Sequence, residues 1–236
     1  MNGTLIVAFL RHRMTTPIRL AFLIVACFFP LVFVAAAPAM GFAPIADSFQ
    51  FALIFGAGMI GQDVSSGVLQ LLFARPVRRD VYVISRWLAA SLGAAVVAVF
   101  QVGLAALILS ARGAAPGAET VALTVADHVA SAFGATAPLL LLSALVGGLG
   151  DIGLLFLLYT SAGILQAAGG GLGHAFLSRI GAELQGFLNP TLHFALVLNG
   201  HPSWHPVIAY LSTVTLSIAL AMVIVNRKEL SYASSS

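Results

Sequence analysis

Charge is the scarcest component of this chain. Only 8% of its 236 residues are Asp, Glu, Lys or Arg, while 60% are hydrophobic. A soluble domain carries roughly 25% charged residues. So few charges cannot cover a water-soluble fold of this length, and lipid is the natural solvent for most of it. The net charge of +3 is too small and too dispersed for a nucleic-acid surface. The single cysteine, Cys27, sits in an apolar run, which excludes an intrachain disulfide and a cysteine-based metal site. Lysine occurs once, at Lys228, behind Asn226-Arg227. A P-loop needs a lysine after its glycines, so the chain has no Walker motif of its own. No nucleophile–base pair or paired-carboxylate site stands out either, so an enzyme is not expected.

Long apolar runs are what the chain has in abundance. A hydrocarbon core about 30 Å thick is crossed by ~20 helical residues. Charge-free intervals of that order cover 20–46, 87–111, 129–150, 152–173 and 206–226. A shorter stretch, 48–62, becomes long enough if it starts near Ala43, with Asp47 near the outer interface. The reading is an all-α, polytopic membrane protein of six transmembrane helices, with residues 1–236 forming one transmembrane domain. Pro138 falls inside the fourth helix and should kink it without ending it.

Six spans place both termini on one side, and the basic residues choose which. With the N-terminus inside, nine of the eleven basic residues lie inside: Arg11, Arg13, Arg19, Arg75, Arg78, Arg79, Arg86, Arg227 and Lys228. Only Arg112 and Arg179 fall outside. The expectation is N-in, C-in, multi-pass in a bacterial cytoplasmic membrane. Residues 1–17 are too long and too amphipathic for the leader of a cleaved signal peptide, although "AAAPAM" (35–40) imitates a cleavage site. Leu5, Ile6, Phe9 and Leu10 at helical spacing, followed by Arg11 and Arg13, predict an interfacial helix on the cytoplasmic leaflet.

"GAGMIG" (56–61) fits the G-x-G-x-x-G pattern of dinucleotide sites. That chemistry needs a strand before it and a soluble helix after it, so that N–H groups face a pyrophosphate. Neither is available here. Inside a membrane helix, small residues let two helices approach closely, so the expectation is a packing surface. "GGLG" (147–150) and "GGGLG" (169–173) read as helix ends or joints.

The stretch "QDVSSGVLQLLFARPVRRDVYVISRW" (62–87) leaves the second span and enters the third. Asp63 and Ser65 suit a helix start. Val64, Val68, Leu71 and Leu72 share one face, and Pro76 forces the chain out of helix. Physically this is either a loop obeying the positive-inside rule or a cytoplasmic helix that docks a soluble partner. Asp63, Gly67, Leu69, Leu72, Pro76, Val77, Arg79 and Tyr82, with Arg86 opening the next helix, resemble the signature of the ABC type-2 permease family. Asp63, Val68, Arg78 and Arg86 stand where that family usually has glutamate, threonine, serine and lysine.

The resemblance implies the transmembrane subunit of an ATP-driven exporter. Two such subunits, a second copy or a paralogue, would pair, and each would contact a separate ABC ATPase subunit. ATP and Mg would sit on that partner, leaving no cofactor in this chain. By the same resemblance, a cytoplasmic coupling helix within residues 63–80 would meet the ATPase through Asp63, Gly67, Leu69, Leu72, Pro76, Arg78 and Arg79. The N-terminal helix would pack beside it.

The other polar residues point to less. His174, His193, His201 and His205 fall in the outer segment 174–204, but their spacing matches no compact ligand motif, so no metal site is expected. Phe176, Leu177, Ile180, Leu184, Phe187 and Leu188, with Arg179 and Glu183 at i,i+4, predict a short helix on the outer leaflet. Residues 186–200 are too short to span easily and read as re-entrant. This segment would be a lid over the outer mouth of the dimer, or a surface for an extracytoplasmic partner. Asp127 and His128 are expected to be solvated at the outer interface. The competing functions are a stand-alone secondary transporter, which needs buried ionisable groups, and a structural membrane subunit.

Overall fold

The computed structural model describes residues 3–45, 47–69, 78–171, 173–199 and 204–233. Ten α-helices are seen among them: α1 (Gly3–Met14), α2 (Pro17–Ala36), α3 (Phe49–Gly56), α4 (Gly61–Ser65), α5 (Arg79–Ala111), α6 (Ala118–Leu145), α7 (Gly150–Gly171), α8 (Ala175–Leu188), α9 (Phe194–Asn199) and α10 (His205–Ala233). Two 3₁₀ turns, Pro38–Met40 and Ala43–Ile45, link α2 to α3, and the described residues contain no strand. Six segments are long and apolar enough to cross a membrane: Pro17–Ala36, Ala43–Ser65, Arg79–Ala111, Ala118–Leu145, Gly150–Gly171 and His205–Arg227. The protein is therefore an all-α chain of multi-pass membrane character.

Local chemistry sets several boundaries. Pro17 opens α2 at its first position, where its missing N–H would have had no partner. Arg78 lies in extended backbone just before α5 and pairs with Asp80 in the first turn, 3.1 Å away. α6 starts at Ala118, well ahead of the charge-free run at 129, because Glu119 and Asp127 are tolerated in its early turns. Pro138 lies inside α6 without ending it.

α5 and α6 form the centre of the bundle with α3. Ala90, Ala94 and Ala98 of α5 are buried with Ala132, Ala135, Leu139 and Leu140 of α6 and with Phe51, Ala52 and Phe55 of α3. Alanine at these positions lets helix axes approach closely, which is how helices associate where lipid supplies no hydrophobic drive. α2, α7 and α10 surround this centre and turn apolar residues outward, including Phe22, Phe29, Phe156, Leu157, Ile208 and Leu211. That outward apolar face suits hydrocarbon.

Two expectations change at the far end of the bundle. α8 does not lie apart as a surface helix but folds back along α7. A Cβ on Gly181 would stand 2.5 Å from the Ala162 carbonyl oxygen, and one on Gly169 would stand 2.3 Å from the Ser178 nitrogen. These two glycines permit the hairpin. Asn189, Phe194 and Tyr210 then bond across the bundle. Asn189 donates to Asp47 at 3.0 Å, the Phe194 N–H donates to Asp127 at 2.7 Å, and Tyr210 donates to the Ala130 carbonyl at 2.7 Å.

His128 is the second change. It is buried rather than solvated, its ring nitrogens lying 2.8 Å from the Thr124 carbonyl and 2.6 Å from the Ile45 carbonyl. The early start of α6 carries it into the bundle.

Candidate functional site

The second span is broken, and side chains from four other helices bond the break. α3 stops at Gly56, residues 57–60 turn, and α4 begins at Gly61. Gly58 adopts φ +65°, the left-handed region that glycine reaches without steric penalty. Interrupting a helix frees backbone carbonyls on one side and N–H groups on the other. Away from water these need partners from elsewhere in the fold.

The carbonyls are taken by arginines. Arg13 of α1 donates through Nη1 to the Ala57 carbonyl and through Nη2 to the Gly58 carbonyl, the latter at 3.0 Å. Arg19 of α2 donates through Nη2 to the Ala57 carbonyl and to Gln62 Oε1, each at 3.2 Å. The N–H groups are taken by acceptors from the other side of the bundle. Gly58 N–H donates to Asp151 of α7 at 2.6 Å. Ile60 and Gly61 N–H both donate to the Ser143 hydroxyl of α6 at 3.0 Å. The Gly148 N–H closes on the Gly61 carbonyl at 2.7 Å.

Cations thus sit where α3 ends, and a carboxylate lies at the turn before α4, the signs that the partial charges of helix termini favour. Asp151 is fully buried and Arg13 nearly so. Burial pushes the Arg13 guanidinium down to about 9, with Arg19 and Arg86 repelling it, which still leaves it protonated at neutral pH.

The expectation of a plain packing surface at 56–61 is therefore corrected in part. Gly56 and Gly61 do permit close approach: a Cβ would stand 3.1 Å from Leu139 Cδ1 and 2.6 Å from the Val146 carbonyl oxygen, respectively. Between them, however, the chain leaves the helix.

One turn further on lies a second cluster. Asp63 of α4 forms an ion pair with Arg86 of α5, their side chains 14% and 6% exposed. The Tyr82 hydroxyl donates to the same carboxylate oxygen at 2.5 Å. Arg86 lies beneath the Phe9 ring of α1, with Cζ 3.6 Å from the ring centroid, and Phe9 meets Tyr82 edge-on. A guanidinium held between a carboxylate and an aromatic face satisfies both the charge and the planar surface of arginine.

The residues expected to couple to a partner are distributed unevenly. Asp63 is held in the buried cluster, with Tyr82 and Arg86. Leu69 is buried, Gly67 has φ +70°, and Arg78 is exposed beside Asp80. Arg79 opens α5. Leu72 and Pro76, with Leu71, Arg75 and Val77, lie outside the described residues. Sequence reasoning passed over Arg13, Arg19, Ser143 and Asp151 as parts of a site. The signal available was that Asp151 alone divides two apolar runs.

His174 and His205 are exposed, and His193 lies 3.8 Å from Asp127, while His201 lies outside the described residues. Among the described residues, no three His, Cys, Asp or Glu side chains gather as metal ligands would. No family model, curated protein or solved structure matches this chain.

Proposed function

We propose that this chain is the transmembrane permease subunit of an ATP-driven exporter, paired with a second copy or a paralogue and served by a separate ATPase subunit. One observation carries the reading. The acidic residue that opens the family-like motif, Asp63, is bonded to two residues beyond the motif's proline, Tyr82 and Arg86, with α1 stacked on the group. A loop that merely obeyed the positive-inside rule would expose Arg78, as this one does, but would give no reason to draw Asp63 out of water. Asp63, where the segment leaves α4, and Tyr82 and Arg86, just past where it enters α5, are bonded together under Phe9 of α1, so a load applied to the segment reaches α5, α1 and α4 together. In this reading the N-terminus, the C-terminus and residues 63–80 face the cytoplasm, and the missing P-loop places ATP hydrolysis on the partner.

The test is a gentle detergent pull-down of the full chain from its native cells, with mass spectrometry and an ATPase assay. The reading expects a stoichiometric P-loop ATPase that is lost when residues 63–79 are altered. A folded chain that brings down no ATPase would overturn it.

The fully buried Asp151 favours a second reading, a proton-coupled carrier acting alone, because such carriers need an ionisable group inside the bundle. Transport by proteoliposomes containing this chain only, driven by a pH gradient and abolished in Asp151→Asn, would favour that reading.

A further inference from the structure

A groove of about 760 Å³ runs between α2 and the α3–α7 wall. Its two ends differ in chemistry. At one end lie His12, Thr16 and Arg19, at the start of α2, beside Gln62. Along its length lie Phe22, Val25, Leu53 and Ile54. No Asp or Glu lines it among the described residues.

α2 has twenty residues, a length of about 30 Å that matches the hydrocarbon core. Arg19 therefore sits within a turn of one membrane face, and Phe22 and Val25 lie one and two turns deeper. Cation at headgroup depth and apolar wall at acyl-chain depth is the profile of a phospholipid. We propose that this groove is a binding site for an anionic phospholipid of the leaflet at which α2 begins, with its phosphate at Arg19 and an acyl chain along Phe22, Val25 and Leu53.

Charge complementarity selects this occupant. Arg19 donates through Nη2 to the Ala57 carbonyl and to Gln62, both uncharged partners. Arg19 repels the neighbouring Arg13 and is attracted by Asp151, which does not line the groove, so the groove's own end carries positive charge with no carboxylate facing it. A second copy packed here about a two-fold axis would present the same patch to itself, setting His12 and Arg19 against their own equivalents. A free phosphate ion would leave the apolar walls unused. The inference is independent of whether an ATPase partners the chain. It bears on the helix break because Arg19 touches both the groove and the Ala57 carbonyl.

The experiment places a reporter in the groove. The full chain carrying Val25→Trp is reconstituted in vesicles containing brominated phosphatidylglycerol or brominated phosphatidylcholine. Quenching of the added tryptophan is read after subtracting the background of Trp87 and Trp204 from the unsubstituted chain. The expected result is a relative binding constant about five-fold higher for phosphatidylglycerol, the factor for one cationic side chain at an anionic headgroup. Arg19→Gln in the reporter background should bring that ratio to about one, and Arg19→Lys should keep it above one.

Thr16→Glu puts a negative charge at the headgroup end without removing either Arg19 hydrogen bond, and should also abolish the preference. Equal quenching by the two lipids would overturn the proposal and make the groove ordinary lipid-facing surface. Quenching by neither would overturn it in favour of a protein occupant, and a preference that survives both Arg19→Gln and Thr16→Glu would place recognition elsewhere.

Discussion

Asp151 gives the sharpest test of how the helix break is held. Its carboxylate is fully buried, accepts the Gly58 N–H at 2.6 Å and the Ile152 N–H at 3.0 Å, and supplies negative charge near Arg13 and Arg19. Asp151→Asn keeps an oxygen for Gly58 but removes the charge. A neutral hydrogen bond between membrane helices contributes on average about 0.6 kcal/mol, whereas a bond to a charged group contributes about 1.5–3 kcal/mol. The asparagine variant should therefore cost about 1–2 kcal/mol.

Asp151→Ala removes the acceptor as well. It leaves the Gly58 N–H buried without a partner, which adds about 1–3 kcal/mol, so a total near 3 kcal/mol is expected. Unfolding in mixed detergent micelles, followed through Trp87, measures both variants. A second comparison isolates the break itself. Ser143 accepts the Ile60 and Gly61 N–H groups on the same turn, so Ser143→Ala and Asp151→Ala should be non-additive by 0.5 kcal/mol or more, a rough threshold for sites that share a structure. Refutation would be an alanine variant within about 1 kcal/mol of the native chain, or one no worse than asparagine. Either would mean that water, and not Asp151, satisfies the turn.

Glycine substitutions should rank by what a Cβ meets. Gly58→Ala is expected to lose about 1–2 kcal/mol for its left-handed backbone, and Gly61→Ala about 1–3 kcal/mol against the backbone at Val146 and Gly148. Gly103→Ala, which meets nothing in the middle of α5, should be neutral or gain up to about 1 kcal/mol; thermal unfolding of the three in one detergent checks the order. Removing either partner of the Asp63–Arg86 pair strands a buried charge, so Arg86→Ala should cost about 3–5 kcal/mol. Phe9→Leu, which loses the ring against the guanidinium and its edge contact with Tyr82, should cost about 1–2 kcal/mol, and equal losses for the two would contradict the geometry. For topology, Arg78→Cys and Ala115→Cys place thiols at opposite ends of α5, both exposed, while native Cys27 is buried. An impermeant maleimide applied to intact cells should label position 115 and spare 78, and the reverse pattern would invert the orientation proposed.

The spans were legible because hydrophobic length is a local property. Charge-free runs at 87–111 and 206–226 can be counted along the chain, and α5 and α10 cover them. The apolar face of α1 was legible as well, since Ile6, Phe9 and Leu10 turn toward the bundle, but Arg13, read with Arg11 as part of the polar side, is buried with them. The break at 57–60 was not. Its residues, Ala, Gly, Met and Ile, are as apolar as any membrane helix, and the groups that make a break tolerable come from residues 13, 19, 143 and 151. No window along the sequence contains them together. The burial of His128 beside Asp127 was hidden for a related reason. Read as neighbours at a helix start they should share one environment, but a helix rotates successive residues by about 100°, and one turned to Phe194 while the other turned into the core.

The two clusters are joined by α4, which is only five residues long. That shortness decides how a load can travel. Gly61 at its start is fastened to α6 and to the turn before α7 by Ser143 and Gly148, and Asp63 is fastened to α5 by Tyr82 and Arg86. With little more than one turn of helix between them, the clusters cannot move independently by more than the slack in those bonds. A glycine at φ +65° would ordinarily suggest a loose joint, but side chains from α1, α2, α6 and α7 bond the backbone on either side of Gly58. Under the exporter reading, closure of an ATPase pair against residues 63–80 would therefore load α1, α4 and α5 together and reach α6 and α7 by two routes, the bonds of the break and the direct α5–α6 contacts of Ser91 with Thr136 and Trp87 with the Phe133 carbonyl. The first route runs through Ser143 and Asp151. A variant that weakens only these two, Ser143→Ala with Asp151→Asn, should retain the bound ATPase yet lose the stimulation of its ATP hydrolysis by this chain. Unchanged stimulation would show that the load bypasses the break.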